Sequence, residues 1–388
     1  MDFSESEDHV AIRAGIQQLC AGYPDEYWAR CDSEHEFPWA FYDALAAGGW
    51  VGIATPEEFG GGGQGITEAA IMLEEIAASG AAMNGCSAVH LSIFGMEPVR
   101  RYGSPAMIAE FLPRVATGDL HVAFGITEPD AGTDTTAIRT RAVRHGSDYI
   151  VTGAKVWTSK AHVSERCLLL VRTTPRAATQ RPTDGMSLLF VDLRSPGVTI
   201  TPIPKLGRNA VASCEVTYED VRVPVTDLVG EEGQGFRYLL DGLNPERILV
   251  AAEAVGIGQA ALRRAVPYAN QRIVFDRPIG QNQGIAFPLA DAHMQLRAAS
   301  LAVSEAAWRY DNGLPCGEQA NTAKYLAAEA GFNAADHALQ TLGGFGYANE
   351  FHVERYWREA RLLKLAPVSQ QMVLNYIADK VLGLPKSY

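Results

Sequence analysis

The 388-residue chain carries 33 Lys and Arg against 45 Asp and Glu, a formal net charge of −12, and 47% of its residues are apolar. That length suffices for two or three domains with a sizeable core. The acidic balance, with no basic run and no aromatic-interleaved basic patch, argues against a nucleic-acid partner. Cys20, Cys31, Cys86, Cys167, Cys214 and Cys316 are scattered without metal-ligand spacing, as free thiols in a reducing compartment would be, and no metal is expected. No window approaches the roughly 18 uninterrupted apolar residues of a spanning helix, and the opening MDFSESEDHV is acidic; no membrane span and a cytoplasmic location are the expectations.

Residues 1–118 read as a helical domain. Ile12, Ile16 and Leu19 recur at helical spacing, and Ile66, Ala69, Ala70, Leu73, Ile76 and Ala77 form an apolar stripe of the same period. The glycines Gly60 to Gly63 lack the GK[ST] ending of a phosphate loop and follow no β-rich run, so they are expected to form a plain turn. Residues 119–228 change character. Short β-rich runs at 148–151, 167–171, 187–191, 198–203 and 214–218 alternate with Gly, Pro, Asn and Asp, which predicts a small β barrel or sandwich with a loop over 173–185. Residues 229–388 return to helical periodicity. The stretch from Ile248 to Leu262 is rich in Ala and Gly, as expected where helices pack closely; apolar stripes follow at 296–306, 325–335 and 372–381. The run from Leu382 to Tyr388 is expected to be a frayed end.

Chemistry concentrates in two stretches, FGITEPDAGTD from Phe124 to Asp134 and GAKVWTS from Gly153 to Ser159. Glycines, hydroxyls and an indole so close together suit a planar, polar cofactor better than an apolar core. Trp157 alone would more often be a core residue, and paired glycines such as Gly343 and Gly344 more often a helix terminus.

Four stretches in order carry a resemblance: Gly125 to Asp134, Trp157 to Ser159, Arg272 to Phe275 with Gln283, and Gln340 with Gly343 and Gly344 in QTLGG. Together they resemble the acyl-CoA dehydrogenase family along nearly the whole chain. The resemblance implies an α+β fold, a helical domain, a β domain and a helical bundle. It also implies FAD held between the last two, with part of each site supplied by a neighbouring subunit of a homotetramer. On that resemblance, Phe124, Ile126, Thr127, Gly132, Thr133, Trp157, Thr158, Ser159, Arg272, Phe275, Gln283, Gln340, Gly343, Gly344, Ser369 and Gln371 are the expected cofactor contacts. Trp157 would stack over the isoalloxazine and Ser159 would reach towards N5.

The implied reaction is α,β-dehydrogenation of an acyl-CoA thioester, with electrons passed to an electron-transferring flavoprotein. The resemblance leaves open an oxidase, a carrier-protein-linked dehydrogenase, a non-redox elimination enzyme or a weakly active flavin-retaining subunit. Most members resemble one another in a C-terminal loop that carries the base, but here that loop reads Leu365-Ala-Pro-Val-Ser-Gln-Gln371, and Ala366, Pro367 and Val368 accept no proton. Pro367 also has no N–H to hold a thioester oxygen. A smaller branch carries the base on a helix, and LNPER here places Glu246 at that position, with Asn244 and Arg247 beside it and Thr133 as further expected substrate contacts. A structural alternative competes: Asn244 as N-cap and Pro245 as the first helical residue would put Glu246 in a first turn, where a carboxylate gains roughly 0.3–1 kcal/mol from the helix dipole.

Overall fold

A computed structural model of the chain describes residues 5–386. Seven helices open the fold: α1 (Glu7–Cys20), α2 (Asp25–Glu34), α3 (Trp39–Ala47), α4 (Ile66–Ile76), α5 (Ala82–Val89), α6 (Glu97–Tyr102) and α7 (Pro105–Ala116). Ser6 and Ser104 cap α1 and α7, each accepting a backbone N–H in its helix's first turn. The apolar stripe of α4 is wholly buried, and Gly60 to Gly63 form the expected turn, pinned by Gly62 N–H to Gly52 O at 3.0 Å.

The middle of the chain forms one mixed sheet: β1 (Val122–Gly125), β2 (Arg141–His145), β3 (Asp148–Ser159), β4 (Arg166–Arg172), β5 (Met186–Asp192), β6 (Val198–Pro202), β7 (Ser213–Pro224) and β8 (Leu228–Val229). Its order is β6-β7-β3-β2-β4-β5-β8, with β1 parallel to β4. Strand β4 shows why the sheet joins the helices so firmly. Its alternate residues serve two cores, Leu168 and Leu170 packing with the helices and Cys167, Leu169 and Val171 filling the sheet's own interior. The loop at 173–185 is less free than its composition suggests: the Arg172 guanidinium donates to the carbonyls of Thr136, Ile138, Pro182 and Asp184.

The chain closes with α8 (Gly235–Gln271), a two-stranded hairpin of β9 (Ile273–Val274) and β10 (Arg277–Pro278), α9 (Gln283–Asp311), α10 (Gly317–Leu342), α11 (Val353–Leu362) and α12 (Gln370–Tyr376). The Ala/Gly run of α8 does let helices approach: a Cβ on Gly331 of α10 would lie 2.3 Å from the Ala254 carbonyl oxygen. One reading is corrected here. Pro245 does not open a helix, because α8 begins at Gly235 with Gln234 as its N-cap, so Asn244 is no N-cap and Glu246 lies in a helix interior. Proline costs α8 one backbone hydrogen bond, and burial of this segment against the other helices outweighs that loss. The C-terminal run is tied at its start by Leu382 N–H to Ile377 O and Leu384 N–H to Ala378 O; Ser387 and Tyr388 lie outside the described residues.

A buried polar junction ties the three parts together. Asp32 of α2 accepts from Asn84 of α5, the Asn209 backbone N–H and Arg358 of α11, while Glu359 of α11 accepts from the backbone and side chain of Asn84.

Candidate active site

Strand β3 ends in a strained presentation. Its pairing with β7 shifts register between Lys155 and Thr158, and Trp157 there adopts φ 62° with its indole 54% exposed. A left-handed backbone at a bulky residue costs of order 1–3 kcal/mol. An exposed indole recovers little of that by burial, so the site is shaped to stack on something flat. The next residue, Thr158, is buried with its hydroxyl unpartnered among the described residues, an atom that a ligand would satisfy. Ser159 Oγ accepts from Arg208 Nη1 and Nη2 at 3.1 and 3.0 Å, which leaves its O–H free to donate. Arg208 also donates to Ser87 and Ser213, and burial brings it down to about 10.

The loop after β1 lies beside this strand end, joined by Val156 N–H to Thr127 O at 2.9 Å. Phe124, Ile126 and Thr127 are half-buried, and Gly132 and Thr133 are exposed with open space where a Gly132 Cβ would sit. The carboxylate of Glu128 faces inwards instead. It accepts from Lys155 Nζ at 2.8 Å and from the backbone N–H groups of Arg139 and Thr140 at 2.6 and 2.9 Å. Burial works against its charge, but these partners hold it below the usual carboxylate range.

On α8, Glu246 is 8% exposed and makes no hydrogen bond among the described residues. Burial pushes its carboxyl up to about 7; the neighbouring Arg247 charge opposes that rise and Glu253, two turns on, adds to it. Arg247 Nη1 donates to Asn244 Oδ1 at 3.2 Å, while its Nε is buried without a partner. This is a carboxylate poised near neutrality in a dry setting, the condition a general base needs. The loop that follows α11 is held by Lys324, whose Nζ donates to Val368 O and Gln370 Oε1 at 2.6 and 2.9 Å. Ala366 N–H is spent on Leu362 O and Pro367 has none, while the N–H groups of Val368 and Ser369 find no acceptor among the described residues. Ser369 caps α12 through its hydroxyl, and Gln371 is exposed.

The remaining expected cofactor residues stand apart. Phe275 and Asp276 form the tip of the β9–β10 hairpin with φ 51° and 62°, and Phe275 is 94% exposed. Arg272 precedes that hairpin and Gln283 opens α9. Gln340, Gly343 and Gly344 lie exposed at the end of α10, with nothing where a Cβ on either glycine would reach. Among the described residues, no hydrogen bond or ring contact joins either group to Trp157–Ser159.

Three domain models of one family cover the chain in sequence: acyl-CoA dehydrogenase N-terminal domain at residues 6–119, middle domain at 123–221 and C-terminal domain at 233–382. The chain belongs to the acyl-CoA dehydrogenase family. It is 40% identical over 389 residues to acyl-CoA dehydrogenase fadE12 of Mycobacterium bovis, covering 100% of this chain and 99% of that one. It is 33% identical to the 3-(aryl)acrylate reductase of Clostridium sporogenes, over 97% and 99% of the two chains. Its fold matches a glutaryl-coenzyme A dehydrogenase in complex with glutaryl-CoA at TM-score 0.93 and 30% identity, covering 100% and 98%. Like its family, this acyl-CoA dehydrogenase is an FAD-dependent oxidoreductase, and its residues fit the cofactor: a strained exposed indole, an orphaned buried threonine hydroxyl and open glycines. No described helix is long and apolar enough to cross a membrane, and no described His/Cys/Asp/Glu group could hold a metal.

Sequence reasoning passed over Arg208, which holds Ser159, and Glu253, which left a signal only as the lone carboxylate in the run ILVAAEAVGIG.

Proposed function

We propose that this acyl-CoA dehydrogenase removes the α-proton of an acyl-CoA thioester with Glu246, giving the trans-2-enoyl-CoA. The observation that carries the reading is the Glu246 carboxyl itself, buried, without a hydrogen bond and held near neutrality. In this scheme the carboxylate takes the α-proton and becomes a neutral acid, the form that burial already favours. The N–H groups of Val368 and Ser369 are the donors this chain offers to the thioester oxygen, in place of the N–H that Pro367 lacks. Arg247, fixed by Asn244, limits how far burial raises the base. FAD, when bound, supplies the two-electron acceptor for the β-hydride. Trp157 would stack against its ring, Thr158 and Ser159 would offer it hydroxyls, and Thr127, Gly132 and Thr133 would lie beside it.

The hairpin of Arg272 and Phe275 with Gln283, and the α10 end of Gln340, Gly343 and Gly344, serve the FAD of a neighbouring copy in a homotetramer. Exposed Phe275, Phe287, Met294 and Trp308 support such an assembly, since large apolar surfaces call for a partner. Electrons then leave to an electron-transferring flavoprotein in the cytoplasm, as the family membership suggests.

The test is anaerobic incubation of the holoenzyme with acyl-CoA thioesters deuterated separately at the α- and β-carbons, with an artificial electron acceptor, followed by mass spectrometry. Loss of one label from each carbon is the expected result. An unchanged mass contradicts the reading, as does oxygen consumption in a parallel aerobic sample that holds no acceptor.

A further inference from the structure

Two buried cations meet at the end of β3, and both reach the same helix. Arg208 donates to Ser159 Oγ and, at 3.3 Å, to Ser87 Oγ. Lys160, the residue after Ser159, donates from Nζ to the Ala88 carbonyl at 2.7 Å. Ser87 and Ala88 are consecutive residues of α5, so the two charges end side by side next to the segment that carries Trp157, Thr158 and Ser159.

Lys160 is the anomalous member. It is completely buried, with Nζ 4.8 Å from the ring centre of Tyr42 and 5.7 Å from that of Phe37. Glu359 and Glu253 oppose the effect of burial on Arg208, whereas among the described residues no carboxylate does so for Lys160, and burial brings it down to about 7. The imidazoles nearby supply no negative charge. His121, packed on Tyr42, is pushed down to about 3 by burial and by the Lys160 charge, and His162 is lowered by burial, Lys205 and Lys160. A cation at a helix C-terminus gains less from the macrodipole than an uncompensated buried ammonium costs, so capping α5 does not account for a lysine here.

The charge balance of the proposed reaction does account for it. The α-proton neutralises the Glu246 carboxylate, while the hydride brings two electrons to a neutral flavin ring and leaves it with one negative charge. One unit of negative charge thus passes from α8 to the flavin. A cation held in a dry setting near the ring favours that product state, and the reduced ring in turn favours the ammonium over the amine.

We infer that Lys160 sets the reduction potential of the FAD, its buried positive charge stabilising the reduced, anionic flavin over the oxidised, neutral one. It acts through the field at the ring and touches no reacting atom. The inference rests on the reading that puts the flavin beside Ser159.

The test is anaerobic reduction of the FAD-loaded enzyme, without substrate, at equilibrium with a reference dye. Native protein is compared with Lys160→Gln, which keeps an N–H donor for the Ala88 carbonyl but no charge, and with Lys160→Met, which keeps neither. At a fixed potential the ratio of reduced to oxidised flavin should fall about tenfold in both variants, a lowering of about 30 mV for a two-electron couple. Equilibrium dialysis should find oxidised FAD retained nearly as in the native protein. A role confined to capping α5 predicts the native potential in Lys160→Gln, and that result overturns the inference, as does loss of oxidised FAD from both variants. Ser159→Ala checks the placement beneath it. If Ser159→Ala changes FAD retention or potential while Lys160→Gln leaves the potential in place, this inference alone fails. If Ser159→Ala changes neither, the flavin lies elsewhere, and that placement and the inference fall together.

Discussion

Glu128, in the loop after β1, and Glu246, inside α8, are buried to nearly the same degree, 7% and 8% exposed. Their chemistry is opposite. Glu128 meets a lysine and two backbone N–H groups that hold it charged, whereas Glu246 meets none and burial raises it to about 7. Burial alone therefore does not mark a reactive acid; burial without compensating donors does. The loop uses its carboxylate to fix the shape that presents Thr127 and Thr133, and the helix keeps its carboxylate available for a proton.

The contrast can be broken at several points, the largest first. Glu128→Ala leaves Lys155, a buried ammonium, with only the Ile126 carbonyl and no counter-charge, and should cost about 3–5 kcal/mol of folding stability, read by chemical denaturation; a loss near zero would mean the loop does not depend on the pair. Glu246→Gln should do the reverse. A carboxyl that titrates at about 7 when folded and near 4.5 when unfolded binds more protons in the native state, so its stabilising form is fully present below the lower value and lost as pH rises through the higher. Removing it should therefore stabilise the apoprotein by on the order of 3 kcal/mol at pH 8 and by less than about 1 kcal/mol at pH 5, measured as a difference in unfolding midpoints.

Arg247→Ala takes away the charge that opposes burial at Glu246. The apparent pKa of the step should rise by about one unit, roughly 1.4 kcal/mol, moving the rising limb of the pH–rate profile to higher pH; a profile left in place would deny the coupling. Trp157→Ala should weaken FAD retention by about 0.5–1.5 kcal/mol, read by equilibrium dialysis, while leaving the stability of the apoprotein almost unchanged because the indole is exposed.

The helical and β portions were legible because periodicity reports burial: Ile66 to Ile76 and the Ala/Gly run of α8 bury the faces their spacing marks. Strand β1 was not recognised as a strand, since four residues leading directly into a loop show too little alternation. Pro245 misled for a different reason. Proline after asparagine favours a helix start locally, and tertiary packing of α8 overrode that preference. The candidate site residues were named from the stretches that resemble the acyl-CoA dehydrogenase family. What spacing could not reveal was which of them find partners: Ser159 under Arg208, 49 residues away, or His90 against Glu253, 163 residues away. Such pairings exist only once the chain has folded.

The central claim, that Glu246 is the proton acceptor, is tested most directly by anaerobic mixing of the FAD-loaded enzyme with short, branched, long and ring-bearing acyl-CoA thioesters, following loss of flavin absorbance in native protein and Glu246→Gln. The account predicts rapid bleaching by one class of thioester in the native enzyme and a rate lower by about 10²–10⁴ in the variant, with FAD still bound. Equal bleaching rates in the two proteins would contradict it.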